Sequence, residues 1–193
     1  MSDSWDDYAD GWDSHPAVQA YAEQAFSALQ AVQPLAGLKV FDFGCGTGLL
    51  SEKIARQAQQ VVALDPATKM LAVLDAKQVG NIHTVASALT PELIAEHAWA
   101  GQFALVVASS ALAFVDDYPQ TLRLLRSLLQ PGGYLVQWDW LQSDDGAGMG
   151  FTRAALNSAI PAAGFATPSL STPFVLDGEQ GALPVLMAVA VNP

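Results

Sequence analysis

The residues best suited to chemistry lie in one stretch, KVFDFGCGTGLLSEKIA, from Lys39 to Ala55. An apolar run carries an acid, Asp42, and glycine then recurs at every second position as Gly44, Gly46 and Gly48. Glycine at such a bend supplies positive φ and lets a ligand approach bare backbone. A loop of this kind holds a cofactor, and its neighbours decide which one. The dinucleotide fingerprint G-x-G-x-x-G/A reserves its third position for a small residue that packs helix on strand, but here that position is Leu49. Asp42 stands beside the ligand's approach, where a carboxylate disfavours a pyrophosphate and attracts a cation. No Gly-Lys-Ser/Thr follows, which excludes a P-loop. The stretch therefore suits a ligand that lacks phosphate and carries positive charge. An NAD(P)-dependent or nucleotide-sugar enzyme on the same sheet is the competing reading.

A parallel sheet must position this loop. Short apolar runs alternate with helical patterns along the chain, the signature of βα units. Strands are expected near Lys39–Phe43, Gln60–Leu64, Ile82–Ala86, Phe103–Ala108 and Gly133–Trp140, and helices near Leu49–Gln59, Thr68–Val79, Pro91–Ala98 and Tyr118–Leu129. Ahead of them, SHPAVQAYAEQAFSALQAV has apolar residues at helical spacing, with Ser14 as the expected N-cap and Pro16 in the first turn. The QPGG at Gln130–Gly133 should end a helix, with glycine in the left-handed cap position. Beyond a DDGAGMG loop, FTRAALNSAIPAAGF reads as a further helix. Two closing strands then follow, joined by a glycine-rich hairpin, so one strand of the sheet runs antiparallel. The expectation is a doubly wound, seven-stranded, mostly parallel α/β sheet with helices on both faces. The chain should form a single domain, 1–193, with residues 1–36 as an N-terminal helical cap. In such sheets ligands sit at the carboxyl ends of the strands.

Bulk properties narrow the partners. The chain has 193 residues, 51% of them hydrophobic and 14% charged, as expected of a folded chain with a full core. Net charge is −11 with only 8 Lys+Arg, which opposes binding to phosphate backbones and anionic lipid. The longest apolar run, from Phe103, stops at Asp116 and is too short to span a bilayer. The acidic start lacks the features of a signal peptide, so the cytoplasm is the expected compartment. One cysteine, Cys45, permits no internal disulfide, and His15, His83 and His97 show no metal-ligand spacing.

These motifs together resemble those of the class I S-adenosylmethionine-dependent methyltransferases, in the small single-domain, type 11/12-like branch, whose fold is Rossmann-like. VFDFGCGTG resembles their first motif, and VVALDPATKML their second strand. The stretch from Phe103 to Val136 looks like their fourth strand, the helix after it and a PGG turn, and WDDYADGWD looks like their N-terminal cap. The resemblance implies S-adenosylmethionine as cofactor and S-adenosylhomocysteine as product. It implies that Asp42 balances the methionine ammonium, and that Gly44, Cys45 and Gly46 line the methionine and ribose with backbone. Asp65 would hold the ribose hydroxyls, and Pro66 would pack on the adenine. Ser87 and Ala88 would meet the adenine edge, Ser109 would offer its carbonyl to the ammonium, and Tyr8 and Trp12 would cover the ligand. Plainer roles stay open: Cys45 as a small packing residue, Asp65 as a helix cap, Tyr8 and Trp12 as core aromatics of the cap. One departure stands out. Relatives often carry an acid where this chain has Ser87, and a neutral acceptor is weaker than a charged one.

The methyl acceptor is less legible. An Asp/Asn-Pro-Pro-Tyr/Phe motif, used by nucleic-acid amino-methylating relatives, is replaced by ASSALAF. The His that many small-molecule relatives place after the fourth strand is replaced by Ala113 and Phe114. No catalytic base is evident. Asp139, between Trp138 and Trp140, is the one candidate, and strand alternation turns it away from both. A small, partly apolar metabolite is the expected acceptor, bounded by the cap, the loop after Ala108 and the SDDGAGMGF loop. No nucleic-acid or membrane partner is expected, and the chain should be a monomer or weak homodimer. An inactive module that binds S-adenosylmethionine or S-adenosylhomocysteine is the alternative.

Overall fold

The computed structural model describes residues 5–143, 149–178 and 181–193. Seven strands follow the sheet order β3-β2-β1-β4-β5-β7-β6, and the chain divides into two compact units, Met1–Ala88 and Leu89–Pro193.

In the first unit, 3₁₀ turns at Trp5–Tyr8 and Trp12–Ser14 precede α1 (Pro16–Gln30), β1 (Lys39–Phe43), α2 (Leu49–Ala55), β2 (Gln60–Asp65), α3 (Thr68–Ala76) and β3 (Ile82–Ala86). The central strand β2 pairs in parallel with β1, Phe43 opposite Leu64, and with β3, Asp65 opposite Ala86. Val40, Phe41 and the run Val61–Leu64 are buried without alternation, as expected of parallel strands covered on both faces. Pro16 opens α1 as expected, but the N-cap is His15; the Ser14 hydroxyl donates instead to the Gly11 carbonyl at 2.6 Å. The helix α2 stops at Ala55, four residues short of the expected Gln59.

The second unit contains α4 (Pro91–Glu96), β4 (Phe103–Ser109), α5 (Tyr118–Leu128), β5 (Leu129–Trp140), α6 (Arg153–Ala162), β6 (Ser169–Gly178) and β7 (Gly181–Val191). Strand β5 lies parallel to β4 and antiparallel to β7, which is also antiparallel to β6, so β7 is the reversed member. Leu122, Leu125 and Leu128 form the buried stripe of α5, and the Asp117 carboxylate caps it by accepting from the Gln120 N–H at 2.9 Å. The QPGG turn does not cap α5 with a glycine. Leu129 is already extended, and Gly132 and Gly133 exchange backbone hydrogen bonds with Asn192 at 2.7 and 2.8 Å. The expected loop and hairpin tips at 144–148 and 179–180 lie outside the described residues.

Among the described residues no helix is long and apolar enough to cross a membrane, and no group of three or more His, Cys, Asp or Glu is placed to hold a metal ion.

Candidate functional site

The glycine loop leaves the carboxyl end of β1 with Gly44, Gly46 and Gly48 all at positive φ, 67°, 54° and 78°. Its course is fixed by β2. The N–H groups of Gly44 and Cys45 donate to the Leu64 carbonyl at 2.8 and 3.2 Å, and the Gly46 N–H donates to Asp65 Oδ2 at 2.8 Å. The other Asp65 oxygen accepts from the Ala67 N–H at 2.8 Å, ahead of α3. Asp65 thus joins the loop to the start of the next helix while each of its oxygens keeps a free lone pair.

Two glycines differ in what surrounds them. A methyl group at Gly46 would meet nothing within 4 Å, whereas one at Gly48 would lie 2.3 Å from Leu74 Cδ1. Gly48 is needed for packing; Gly46 faces open space of the kind a ligand fills.

Asp42 is 1% exposed. The Ser51 hydroxyl, one turn into α2, donates to its Oδ2 at 2.5 Å, and no cation pairs with it among the described residues. Burial pushes its carboxyl pKa to about 7 against the Ser51 hydrogen bond, with the Asp65 charge adding to the rise. Burial also raises Asp65, opposed by its two backbone donors. The Cys45 thiol is pushed up by burial and by the Asp42 and Asp65 charges, the reverse of what a thiolate nucleophile needs.

The other expected residues of this unit divide in two. Pro66 and Ala88 are exposed just beyond the ends of β2 and β3, and the Ser87 hydroxyl donates to the Ala88 carbonyl at 3.0 Å. That leaves the Ser87 oxygen as an acceptor only. In the N-terminal segment, Trp12 packs on the cluster of Ala9, Ala67 and Met70, while Tyr8 is 46% exposed. The rings of Trp5, Tyr8 and Trp12 lie 6.0–6.3 Å apart.

Within the second unit, Ser109 ends β4 and is half-buried. Ser110 follows with φ 54°, its N–H bound to the Trp138 carbonyl at 2.7 Å. Asp139 belongs to a buried polar chain. Tyr118 OH donates to Gln137 Oε1 at 2.7 Å, Gln137 Nε2 donates to Asp139 Oδ2 at 3.2 Å, and the Ala113 N–H donates to Asp139 Oδ1 at 3.3 Å. Gln137 and Asp139 share a face of β5, and Trp138 between them is fully buried. Burial raises Asp139 to about 8 against those two donors. It also raises the Tyr118 hydroxyl, with the Asp139 charge as a second cause.

Sequence reasoning missed Ser51, the trio of Asp13, Thr47 and Lys77, and the Tyr118 and Gln137 partners of Asp139. Ser51 could have been found as a polar residue on the buried side of the helix after the glycine loop. The link of Asp13 to Thr47 and Lys77 had no signal, because it joins residues far apart in sequence.

Residues 41–135, which include the glycine loop, Asp65 and Ser109, match the family described as "Methyltransferase domain". The ubiquinone biosynthesis O-methyltransferase of Ralstonia nicotianae is 35% identical over 113 residues, 55% of this chain and 45% of that protein. Over residues 41–135, about half of its length, the chain carries this methyltransferase domain. An S-adenosylmethionine-dependent methyltransferase from Mesorhizobium loti shares its fold, with 21% identity, TM-score 0.65 and coverage of 87% of this chain and 97% of that one. So does the DhpI–SAH complex, at 21% identity, TM-score 0.75 and coverage of 97% and 93%. The chain spans less than half the length of the curated relatives it matches.

Proposed function

We propose that this protein transfers the methyl group of S-adenosylmethionine to an oxygen of a small, partly apolar metabolite, releasing S-adenosylhomocysteine. One observation carries the cofactor assignment. A fully buried carboxylate, Asp42, lies without a cation beside a loop whose Gly46 opens to free space. A cationic, phosphate-free nucleoside would satisfy that carboxylate and fill that space, whereas a pyrophosphate would be repelled. In this reading Asp42 faces the ammonium, and Gly44, Cys45 and Gly46 present backbone to the methionine and ribose. Asp65 uses its spare lone pairs for the ribose hydroxyls. Pro66, Ser87 and Ala88 take the adenine, Tyr8 and Trp12 cover the ligand from the N-terminal cap, and Ser109 adds a carbonyl. The whole chain then works as one methyltransferase domain.

The sulfonium supplies the leaving group, so the protein's task is alignment and exclusion of water. A hydroxyl acceptor must also lose a proton. Asp139 is the candidate to take it, once the Ala113 hydrogen bond that covers it is exchanged. Oxygen as the acceptor atom is supported by the names of the curated relatives.

The inactive binding module is favoured by one fact: Asp139 is 1% exposed, out of reach of an acceptor in this conformation. Thermal shift and turnover separate the two possibilities. S-adenosylhomocysteine should raise the melting temperature and NAD should not. Conversion of S-adenosylmethionine with a panel of hydroxylated aromatic metabolites should follow. Stabilisation by NAD alone would overturn the assignment, and binding without any turnover would favour the module.

A further inference from the structure

Lys77 closes a ring of contacts around the glycine loop. Its ammonium lies 2.7 Å from Asp13 Oδ2, 2.8 Å from the Thr47 carbonyl and 2.8 Å from Glu52 Oε2. Three acceptors match the three N–H bonds of an ammonium. The second Asp13 oxygen accepts from the Thr47 hydroxyl at 2.5 Å. Thr47 lies between Gly46 and Gly48 and is 2% exposed, so its hydroxyl and its carbonyl are both committed to this ring. Asp13 in turn belongs to the 3₁₀ turn Trp12–Ser14. The segment has other polar ties as well: Asp6 Oδ1 accepts from the Lys69 N–H at 2.8 Å, and the Asp13 carbonyl accepts from Gln19 Nε2 at 2.6 Å.

The ring thus binds the segment that carries Tyr8 and Trp12 to the middle of the loop. Isolated surface ion pairs contribute little. Here, however, the Lys77 and Asp13 side chains are 19% and 30% exposed, and each charge is held by more than one partner, an arrangement that strengthens charge-assisted bonds.

We infer that Lys77 is a positioning residue: by gripping Asp13 and Thr47 together, it seats the Trp5–Ser14 segment on the glycine loop and sets how fast the cofactor leaves. The inference rests on the reading of that loop as the S-adenosylmethionine site. It differs from a purely structural role in where its effect shows. A structural lysine changes stability; a latch changes the dissociation rate of the ligand.

The test is stopped-flow displacement of S-adenosylhomocysteine from the full chain, followed by tryptophan fluorescence. Wild type is compared with Lys77→Met, Lys77→Arg, Asp13→Asn, Thr47→Val and the Lys77→Met/Asp13→Asn double variant. Lys77→Met and Asp13→Asn should each speed release about tenfold. The double variant should be no faster than either alone, since both break one ring, and Lys77→Arg should recover part of the loss. Raising salt from about 0.05 to about 1 M should speed release from wild type and leave Lys77→Met unchanged. The product carries no net charge near neutral pH, so this salt response reports on the ring. Thr47→Val covers the case in which a charge variant does not fold. Unchanged release rates with a lowered melting temperature would overturn the latch while leaving the cofactor assignment intact. Failure of the wild type to bind S-adenosylhomocysteine would overturn both.

Discussion

Replacing Asp42 by Asn should make the protein more stable and less able to hold its cofactor. In the free protein the Asp42 carboxyl titrates near 7, against 3.8 for an ordinary aspartate. The folded state therefore holds this proton more tightly than the unfolded state. The resulting stability is fully present below pH 3.8, is lost as pH rises towards 7, and stays lost above it. With about 1.4 kcal/mol per pH unit, the readier ionisation of Asp42 in the unfolded chain lowers wild-type stability by about 2 kcal/mol at pH 5 and about 4 kcal/mol at pH 8. Asparagine removes that cost and still accepts from Ser51, but its amide N–H groups go unpaired in a buried site, at about 1–3 kcal/mol. The variant should be near parity with wild type at pH 5 and more stable by about 1–3 kcal/mol at pH 8. Urea unfolding without cofactor at the two pH values measures this. Asp139 titrates in both proteins, so the difference between them isolates Asp42. Calorimetry should show weaker S-adenosylhomocysteine binding by the variant at both values. A stability difference that does not change with pH, or that favours wild type more at pH 8, would rule this account out.

Three further outcomes are expected. Gly46→Ala should cost about 1–2 kcal/mol of stability for a side chain in left-handed backbone yet weaken S-adenosylhomocysteine at least about tenfold, whereas Gly48→Ala should chiefly destabilise, by a further 1–3 kcal/mol or so of overpacking against Leu74; paired melting and calorimetry distinguish them. Asp139→Asn should lower kcat about a hundredfold with a hydroxyl acceptor and remove the limb near pH 8 from its pH profile, and an unchanged profile would take Asp139 out of the reaction. Ser87→Asp should tighten S-adenosylhomocysteine several-fold by substituting a charged acceptor for a neutral one, read as a lower Kd.

The strands that carry the candidate site were legible because their burial is nearly continuous, and apolar runs such as Val61–Leu64 have few other uses. Asp42, Asp65 and the three glycines were legible for a related reason: acids at strand ends and glycines at alternate positions are costly unless the backbone or a ligand requires them. Helix ends were less so. In α2 the apolar pattern runs on through Ala58, but the helix ends at Ala55 where the chain turns to enter β2. Ser14 had the chemistry of a cap and used it on Gly11 instead, because Pro16 opens the helix one residue beyond His15. Strand alternation correctly separated Asp139 from Trp138, but nothing local announced that Ala113 would donate to Asp139 or that Tyr118 would reach it through Gln137. The Lys77 ring was invisible for the same reason: its members sit 34 and 30 residues apart, and only tertiary structure brings them together.

Gly48 and Leu74 occupy what is, in effect, one volume: the methyl that position 48 lacks is the one Leu74 supplies. Drift at either site is therefore contingent on the other. A descendant that gained a side chain in the loop would first need a smaller residue on α3, and one that trimmed Leu74 alone would leave a hole behind the glycine loop. The two positions should change as a pair or not at all.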